Sequence, residues 1–150
     1  MNIKITDTIK NNYDLSDIKE YTIEAGRPDS TDEAKLGVMK NSGCTRISIN
    51  PQTFNDSVLK EIGRNHTSQM TLDSMALARE YGFDNINMDI ILGLPGEMEE
   101  DVQYTVSEIK KLSPDSLTVH SLAIKRGSRL YQWIDEHGIS ALNNTDKTME

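Results

Sequence analysis

Four polar side chains are placed where they could contact a small ligand. Glu24 lies near the end of the apolar segment YTIEA, Gln52 follows the segment RISIN, and Asp89 interrupts INMDIILGL. Arg64 lies between two helical segments and can return toward the same region. Carboxylate, amide and guanidinium groups offer hydrogen-bond acceptors, donors and one fixed positive charge. The pattern predicts a site for a polar small molecule, with no catalytic and no metal-binding residue assigned.

Three of these side chains have a simpler interpretation, which the pattern alone leaves open. Glu24 can face solvent, Gln52 can cap the following turn, and Arg64 can be a surface or ion-pair residue. Asp89 is different, because a carboxylate among apolar neighbours in a buried strand costs free energy unless it has partners. We therefore expect Asp89 to contact a ligand or to join a polar network.

The histidines and the cysteine have ordinary structural interpretations. We expect His66 on the surface of a loop, His137 on an exposed helix, and His120 as a hydrogen-bonded core residue. Cys44 is expected to be a small apolar filler at the entry of a strand. Since it is the only cysteine, the chain has no internal disulfide and cannot by itself hold a zinc ion or an iron–sulfur cluster.

Short segments rich in β-branched or apolar residues predict four strands, and Pro51 is expected to end the second. The predicted strands are residues 21–25, 46–50, 86–94 and 116–122. Amphipathic segments before, between and after them predict helices. Thr31, Asp56 and either Thr67 or Ser68 are expected to cap three of these helices. The main helical segments are DEAKLGVMKNS, SVLKEIG, QMTLDSMALAREY, EEDVQYTVSEIKKL and GSRLYQWIDEHGI.

Alternation of strand and helix predicts an α/β fold with a parallel sheet. Four strands are too few to close a barrel, so we expect an arc of an α/β barrel or one side of a doubly wound sheet. Residues 1–150 are treated as one domain, with 141–150 as a polar, frayed tail. An arc leaves sheet edges and an inner face uncovered, so we also expect self-association.

Composition argues against several classes of partner. The chain has 16 Lys and Arg against 24 Asp and Glu, a net charge of −8 and a pI of about 4.9. Binding to nucleic acid or to an anionic membrane would require a basic surface. No apolar run approaches the ~20 residues that span a bilayer, and the first residues are too polar for a signal peptide. We expect a cytoplasmic protein.

The segment GLPGE, residues 93–97, is a tight turn after the third strand. A phosphate-binding loop would need more backbone amides and usually a following Lys or Ser/Thr. A nucleoside triphosphate site is therefore not expected here.

Three longer segments carry a family resemblance. EAGRPD, RISINPQTFNDSVLKEIGRNHT and FDNINMDIILGLPGE, in this order and spacing, resemble the radical S-adenosylmethionine enzymes of the oxygen-independent coproporphyrinogen III oxidase group. INPQT replaces the commoner GVQ-type strand end and, with EAGRP, is similar to the coproporphyrinogen dehydrogenase branch. The resemblance runs from about residue 15 to residue 130.

The resemblance implies a partial (β/α) barrel that holds S-adenosylmethionine beside a [4Fe-4S] cluster. In that family a radical formed from the cofactor removes hydrogen from propionate side chains of coproporphyrinogen III, which lose carbon dioxide and become vinyl groups in haem biosynthesis. The family's cofactor contacts fall on Glu24 and Arg64 for the methionine part, Gln52 and Asp89 for the ribose, and Ile91 and Ala123 for the adenine.

One departure from the family pattern limits what this chain can do. The three-cysteine loop that binds the cluster has no counterpart here, and Cys44 cannot replace it. We therefore expect an excised segment of the barrel that is inactive alone and binds S-adenosylmethionine weakly.

Three other functions stay open. The first is a radical S-adenosylmethionine haem chaperone, and the second is a non-enzymatic, acidic α/β module that binds a small metabolite. The third, an aldolase-type barrel, has only Lys125 as a candidate catalytic lysine.

Overall fold

The computed structural model describes residues 3–123 and residue 132. Within them, four parallel strands form one sheet in the order β1-β2-β3-β4, which confirms the predicted α/β arc. The strands are β1 Thr22–Gly26, β2 Arg46–Gln52, β3 Ile86–Leu92 and β4 Ser116–Ser121. The helix predicted near residues 127–139, Lys125, His137 and the tail 141–150 lie outside the described residues, apart from Gln132.

One helix precedes β1, and the others connect consecutive strands, as the alternation predicts. They are α1 Ile3–Asn12, α2 Glu33–Asn41, α3 Asp56–Glu61, α4 Ser68–Glu80 and α5 Glu99–Leu112, with a 3-10 turn at Pro28–Ser30. None of the helices in these residues is long and apolar enough to cross a bilayer.

Two of the three predicted helix caps are wrong by one residue. Asp32 caps α2 by accepting from the Lys35 amide, where Thr31 was expected. Asn55, not Asp56, caps α3, because its side chain reaches the first free amides of the helix. The expected cap at Thr67 is confirmed, since its side chain accepts from the Met70 amide at the start of α4.

The two faces of the sheet differ in chemistry. One face is apolar and packs against the helices, where each of its central side chains is at most 1% exposed: Ile47, Ile49, Ile86, Met88 and Ile90. Since side chains alternate along a strand, the residues between them point to the opposite face. We call that opposite face the inner face. It carries polar side chains from all four strands.

The prediction that Pro51 ends the second strand is wrong, because β2 continues to Gln52. Ile49 pairs with Met88, whereas Gln52 pairs with Ile90, so β2 contains one extra residue relative to β3. Such a bulge leaves one residue of the strand outside the regular hydrogen-bond pattern with the neighbouring strand. Proline has no amide hydrogen to contribute, and the bulge accommodates it within the strand.

Cys44 occupies the predicted position before the entry of β2. It is buried, and its thiol donates a hydrogen bond of 2.9 Å to the carbonyl of Arg46. Burial raises the pKa of the Cys44 thiol. The side chain therefore acts as a small core group, as expected.

The turn after β3 is closed by a buried carboxylate. Glu97 is 4% exposed, and its Oε2 accepts from the amides of Gly93 at 3.0 Å and Leu94 at 3.3 Å. Burial nevertheless raises the pKa of Glu97 above its ordinary value of 4.5, because these two bonds do not fully replace the lost solvent.

The raised pKa of Glu97 predicts a specific pH dependence of stability. The folded state favours the protonated carboxyl, so the contribution of Glu97 is fully present below pH 4.5 and is lost as pH rises through the folded-state pKa. Glu97→Gln cannot ionise. The free energy of unfolding of the wild type should therefore fall relative to Glu97→Gln as pH rises, measured by urea unfolding across a pH series.

Glu100→Gln, at an exposed position of α5, is the matched control. An unchanged difference between the wild type and Glu97→Gln across the series would contradict the prediction.

Candidate functional site

Asn87 lies at the centre of the polar inner face and is 4% exposed. Its Nδ2 donates to the Ser48 hydroxyl at 2.9 Å and to Asp89 Oδ1 at 2.5 Å. Its Oδ1 accepts from the hydroxyls of Ser116 at 2.9 Å and Thr118 at 3.1 Å. All four hydrogen-bonding capacities of the amide are used, so the free-energy cost of burying it between three strands is offset.

The network continues from Asn87 toward β1. The Ser48 hydroxyl, buried beside Asn87, donates to Asn50 Oδ1 at 3.1 Å, and Asn50 Nδ2 donates to Glu24 Oε2 at 3.0 Å. The donors point away from Asn87 in both directions, so the row ends on two acceptors, the carboxylates of Glu24 and Asp89. The structure thus brings two of the predicted site residues into one hydrogen-bonded system.

The expectation that Asp89 joins a polar network is confirmed. The carboxylate is partly buried and accepts from Asn87, so the free-energy cost of placing it within β3 is offset. Glu24 is exposed, as its simpler interpretation allowed, and is also held by Asn50.

Gln52 ends β2 with an unusual backbone. Its φ is 70°, a left-handed conformation that side chains other than glycine rarely adopt. The side chain is 7% exposed, and its Nε2 donates weakly to the carbonyl of Asn50 at 3.4 Å. It does not cap the following helix, because Asn55 does. Strain of this kind collects at functional sites, where the surrounding structure enforces it.

His66 was expected on a loop surface, and that prediction is wrong. The ring is 2% exposed, and Nε2 lies 3.0 Å from the carbonyl oxygen of Pro51, directly before the strained residue Gln52. Within the described residues Nδ1 is buried without a partner. Residue type alone cannot distinguish such a buried histidine from a loop histidine. Its place in GRNHT, a segment that carries the resemblance, was the available signal.

The other predicted site residues are less constrained. Arg64 is partly buried, and its side chain makes no hydrogen bond or ion pair among the described residues. Ile91 is partly buried in β3 and pairs in register with His120 of β4. His120 is exposed, so its assignment to the core is wrong, because β4 lies at the edge of the described sheet. Ala123 is exposed, two residues beyond β4.

The candidate side chains, two carboxylates on the inner face and the Arg64 guanidinium in the loop before α4, suit a ligand with hydroxyl groups and both charges. Carboxylates such as Asp89 and Glu24 accept from hydroxyl or ammonium groups, and a guanidinium such as Arg64 pairs with a ligand carboxylate. The residues therefore fit S-adenosylmethionine. They do not fit an iron–sulfur cluster, because the sequence has one cysteine and the described residues contain no group of three or more His, Cys, Asp or Glu side chains that could hold a metal ion.

Comparison with known proteins gives matches of sequence and of structure. Residues 2–109 match the Radical SAM superfamily. Over all 150 residues the chain is 40% identical to the oxygen-independent coproporphyrinogen-III oxidase-like protein HemZ of Bacillus subtilis. Over 116 residues, 77% of the chain, it is 34% identical to the heme chaperone HemW of the same organism. The chain spans 30% of the length of each of these relatives.

Among solved structures, coproporphyrinogen III oxidase (HemN) from Escherichia coli matches 97% of the chain with a TM-score of 0.74. The two are 24% identical, and the chain covers 38% of that structure. At this identity the match concerns the fold alone.

The left-handed backbone at Gln52 predicts an inverted order of stability for two small substitutions. Glycine is ordinarily less stable than alanine within a strand. At φ 70° the alanine side chain is strained and glycine is not, so Gln52→Gly should be more stable than Gln52→Ala by about 1 kcal/mol, measured by urea unfolding.

The pair Ser48→Gly and Ser48→Ala, in a regular part of β2, is the control and should show the ordinary order. If Gln52→Ala were the more stable of its pair, the left-handed conformation would be contradicted.

Proposed function

This chain belongs to the Radical SAM superfamily, and on that premise we propose that it is part of an S-adenosylmethionine-dependent oxidoreductase that acts on coproporphyrinogen III. The observation that carries the proposal is the 40% identity over 150 residues to a relative named oxygen-independent coproporphyrinogen-III oxidase-like protein. The hydrogen-bonded carboxylates of Glu24 and Asp89 on the inner face support it, together with Gln52 at the end of β2. In parallel α/β sheets, ligands bind near the carboxyl ends of the strands.

The residues proposed to hold S-adenosylmethionine divide by chemistry. Asp89 and Gln52 would accept hydrogen bonds from the ribose diol. Arg64 lacks a partner among the described side chains and would pair with the cofactor's carboxylate. Glu24 would contact the methionine part of the cofactor, and Ile91 and Ala123 would line its adenine.

The role proposed for the chain in the reaction is orientation. When bound, the cofactor supplies radical chemistry that converts a propionate side chain to a vinyl group with loss of carbon dioxide. Asn87 fixes Asp89, and Asn50 fixes Glu24, before any ligand arrives. Because such preorganised groups need no reordering on binding, they lower the entropic cost of placing the cofactor.

Four further proposals concern the cluster ligands, the activity of these 150 residues alone, their location and their self-association. The cysteines that hold a [4Fe-4S] cluster would be contributed from outside this sequence, so the 150 residues alone should not catalyse and should bind the cofactor weakly. We also propose a cytoplasmic location. Self-association is supported by two apolar side chains of β4, Leu117 at 41% and Val119 at 51% exposure.

A haem chaperone is the second candidate function. It is favoured by the 34% identity to the heme chaperone HemW. The two functions share the proposed cofactor site, so the inner face does not distinguish them.

The experiment is an anaerobic assay of the full-length protein with a reconstituted cluster, S-adenosylmethionine, a reductant and coproporphyrinogen III. We expect a vinyl-bearing product and carbon dioxide. Asp89→Asn should bind S-adenosylmethionine about tenfold more weakly, because it loses a charge-assisted hydrogen bond to the ribose. Asp84→Asn, at an exposed position, is the matched control and should bind as the wild type does.

Product formation by the wild type would support the oxidoreductase. Stable haem binding without product would instead favour the chaperone. Absence of both product and haem binding would contradict both proposed functions.

A further inference from the structure

Asn50 connects two candidate contacts, Glu24 within β1 and Gln52 at the end of β2. Its side-chain Nδ2 donates to Glu24 Oε2 at 3.0 Å, and its backbone carbonyl accepts from Gln52 Nε2 at 3.4 Å. In the part of the chain that the structure describes, the Glu24 carboxylate has no other hydrogen-bond partner. Asn50 was not among the site residues predicted from the sequence.

The orientation of the Asn50 amide is fixed by its neighbours. Asn87 Nδ2 can only donate, so the Ser48 oxygen accepts from it at 2.9 Å. The Ser48 proton is then free for Asn50 Oδ1, at 3.1 Å. This arrangement leaves Nδ2 as the group that faces Glu24. The opposite amide orientation would place two acceptor oxygens against each other.

The contact constrains Glu24 without neutralising it. A glutamate side chain has three rotatable bonds, and an exposed one samples many conformations, so holding it in place lowers the entropic cost of binding. Asn50 engages Oε2 and leaves Oε1 for a ligand. A lysine or arginine in its place would cancel the negative charge, whereas an amide keeps it. The pair therefore suits a cationic group, such as the ammonium of an amino-acid moiety.

We propose that Asn50 is a positioning residue, which orients the Glu24 carboxylate toward the cationic, methionine end of the cofactor. The inference rests on the proposed function, since it takes S-adenosylmethionine as the ligand. It adds Asn50 to the candidate site and gives the hydrogen-bonded row on the inner face a role in binding. Through Ser48 and Asn50, the buried Asn87 at the centre of the sheet fixes the orientation of the Glu24 carboxylate on β1.

The test is a double-mutant cycle on S-adenosylmethionine binding by the full-length protein with a reconstituted cluster, measured anaerobically by isothermal titration calorimetry. Asn50→Ala should weaken binding about 5- to 20-fold, as loss of one hydrogen bond to a charged group does. In a Glu24→Gln background the same change should have almost no further effect, because the carboxylate that it orients is gone. A merely structural role would weaken binding equally in both backgrounds.

Two further variants keep the outcome clear. Ser48→Ala removes the hydrogen bond that orients the Asn50 amide and should weaken binding by a smaller factor. It can replace Asn50→Ala in the cycle if that variant does not fold. Asn65→Ala, at an exposed position, is the matched control and should bind as the wild type does.

Each outcome distinguishes the inference from the proposed function. If the wild type binds and Asn50→Ala binds equally well, or weakens equally in both backgrounds, the positioning role is overturned and the cofactor site stands. If the full-length wild type shows no saturable binding of S-adenosylmethionine, the proposed cofactor site fails, and the positioning role fails with it.

Discussion

A buried amide in the middle of a parallel sheet is tolerated only when its hydrogen-bonding capacities are used, and Asn87 uses all four. This condition links three strands. The hydroxyls of Ser116 and Thr118 must donate to its oxygen, so its nitrogen must donate to Ser48 and Asp89. The direction of every later bond in the row follows from that assignment. A polar face can therefore lie on a strand whose other face is fully packed.

The contrast between the two faces explains how the fold can combine stability with binding. Hydrophobic burial is confined to the helix-covered face, where Ile47, Met88 and Ile90 are almost completely removed from solvent. The inner face contributes order through directional bonds instead. Because these bonds end on the carboxylates of Glu24 and Asp89, the same interactions that satisfy buried groups also hold charged groups on this face. In a larger barrel, such a face would line the interior.

Local patterns were sufficient for the elements and insufficient for the details of the site. Alternation and helical periodicity predicted all four strands and the parallel sheet, because both depend on residues close in sequence. The bulge before Gln52 and the burial of His66 depend on pairing with β3 and on a contact 15 residues away. Asn50 was overlooked because a hydrogen bond to Glu24, 26 residues distant, leaves no trace in local composition. Residue type and position gave the four polar candidates, and the resemblance added Ile91 and Ala123 and assigned a role to each residue.

The burial of Cys44 has a practical consequence for spectroscopy. Thiol reagents react with the exposed thiolate, and this thiol is 4% exposed, hydrogen-bonded to a carbonyl and raised in pKa. Because the sequence contains no other cysteine, the chain has almost no background reactivity. A cysteine introduced at an exposed position would carry a fluorophore or spin label at a single site. A pair of introduced cysteines, one on each side of the sheet, would then allow a distance to be measured without first removing a native residue from the core.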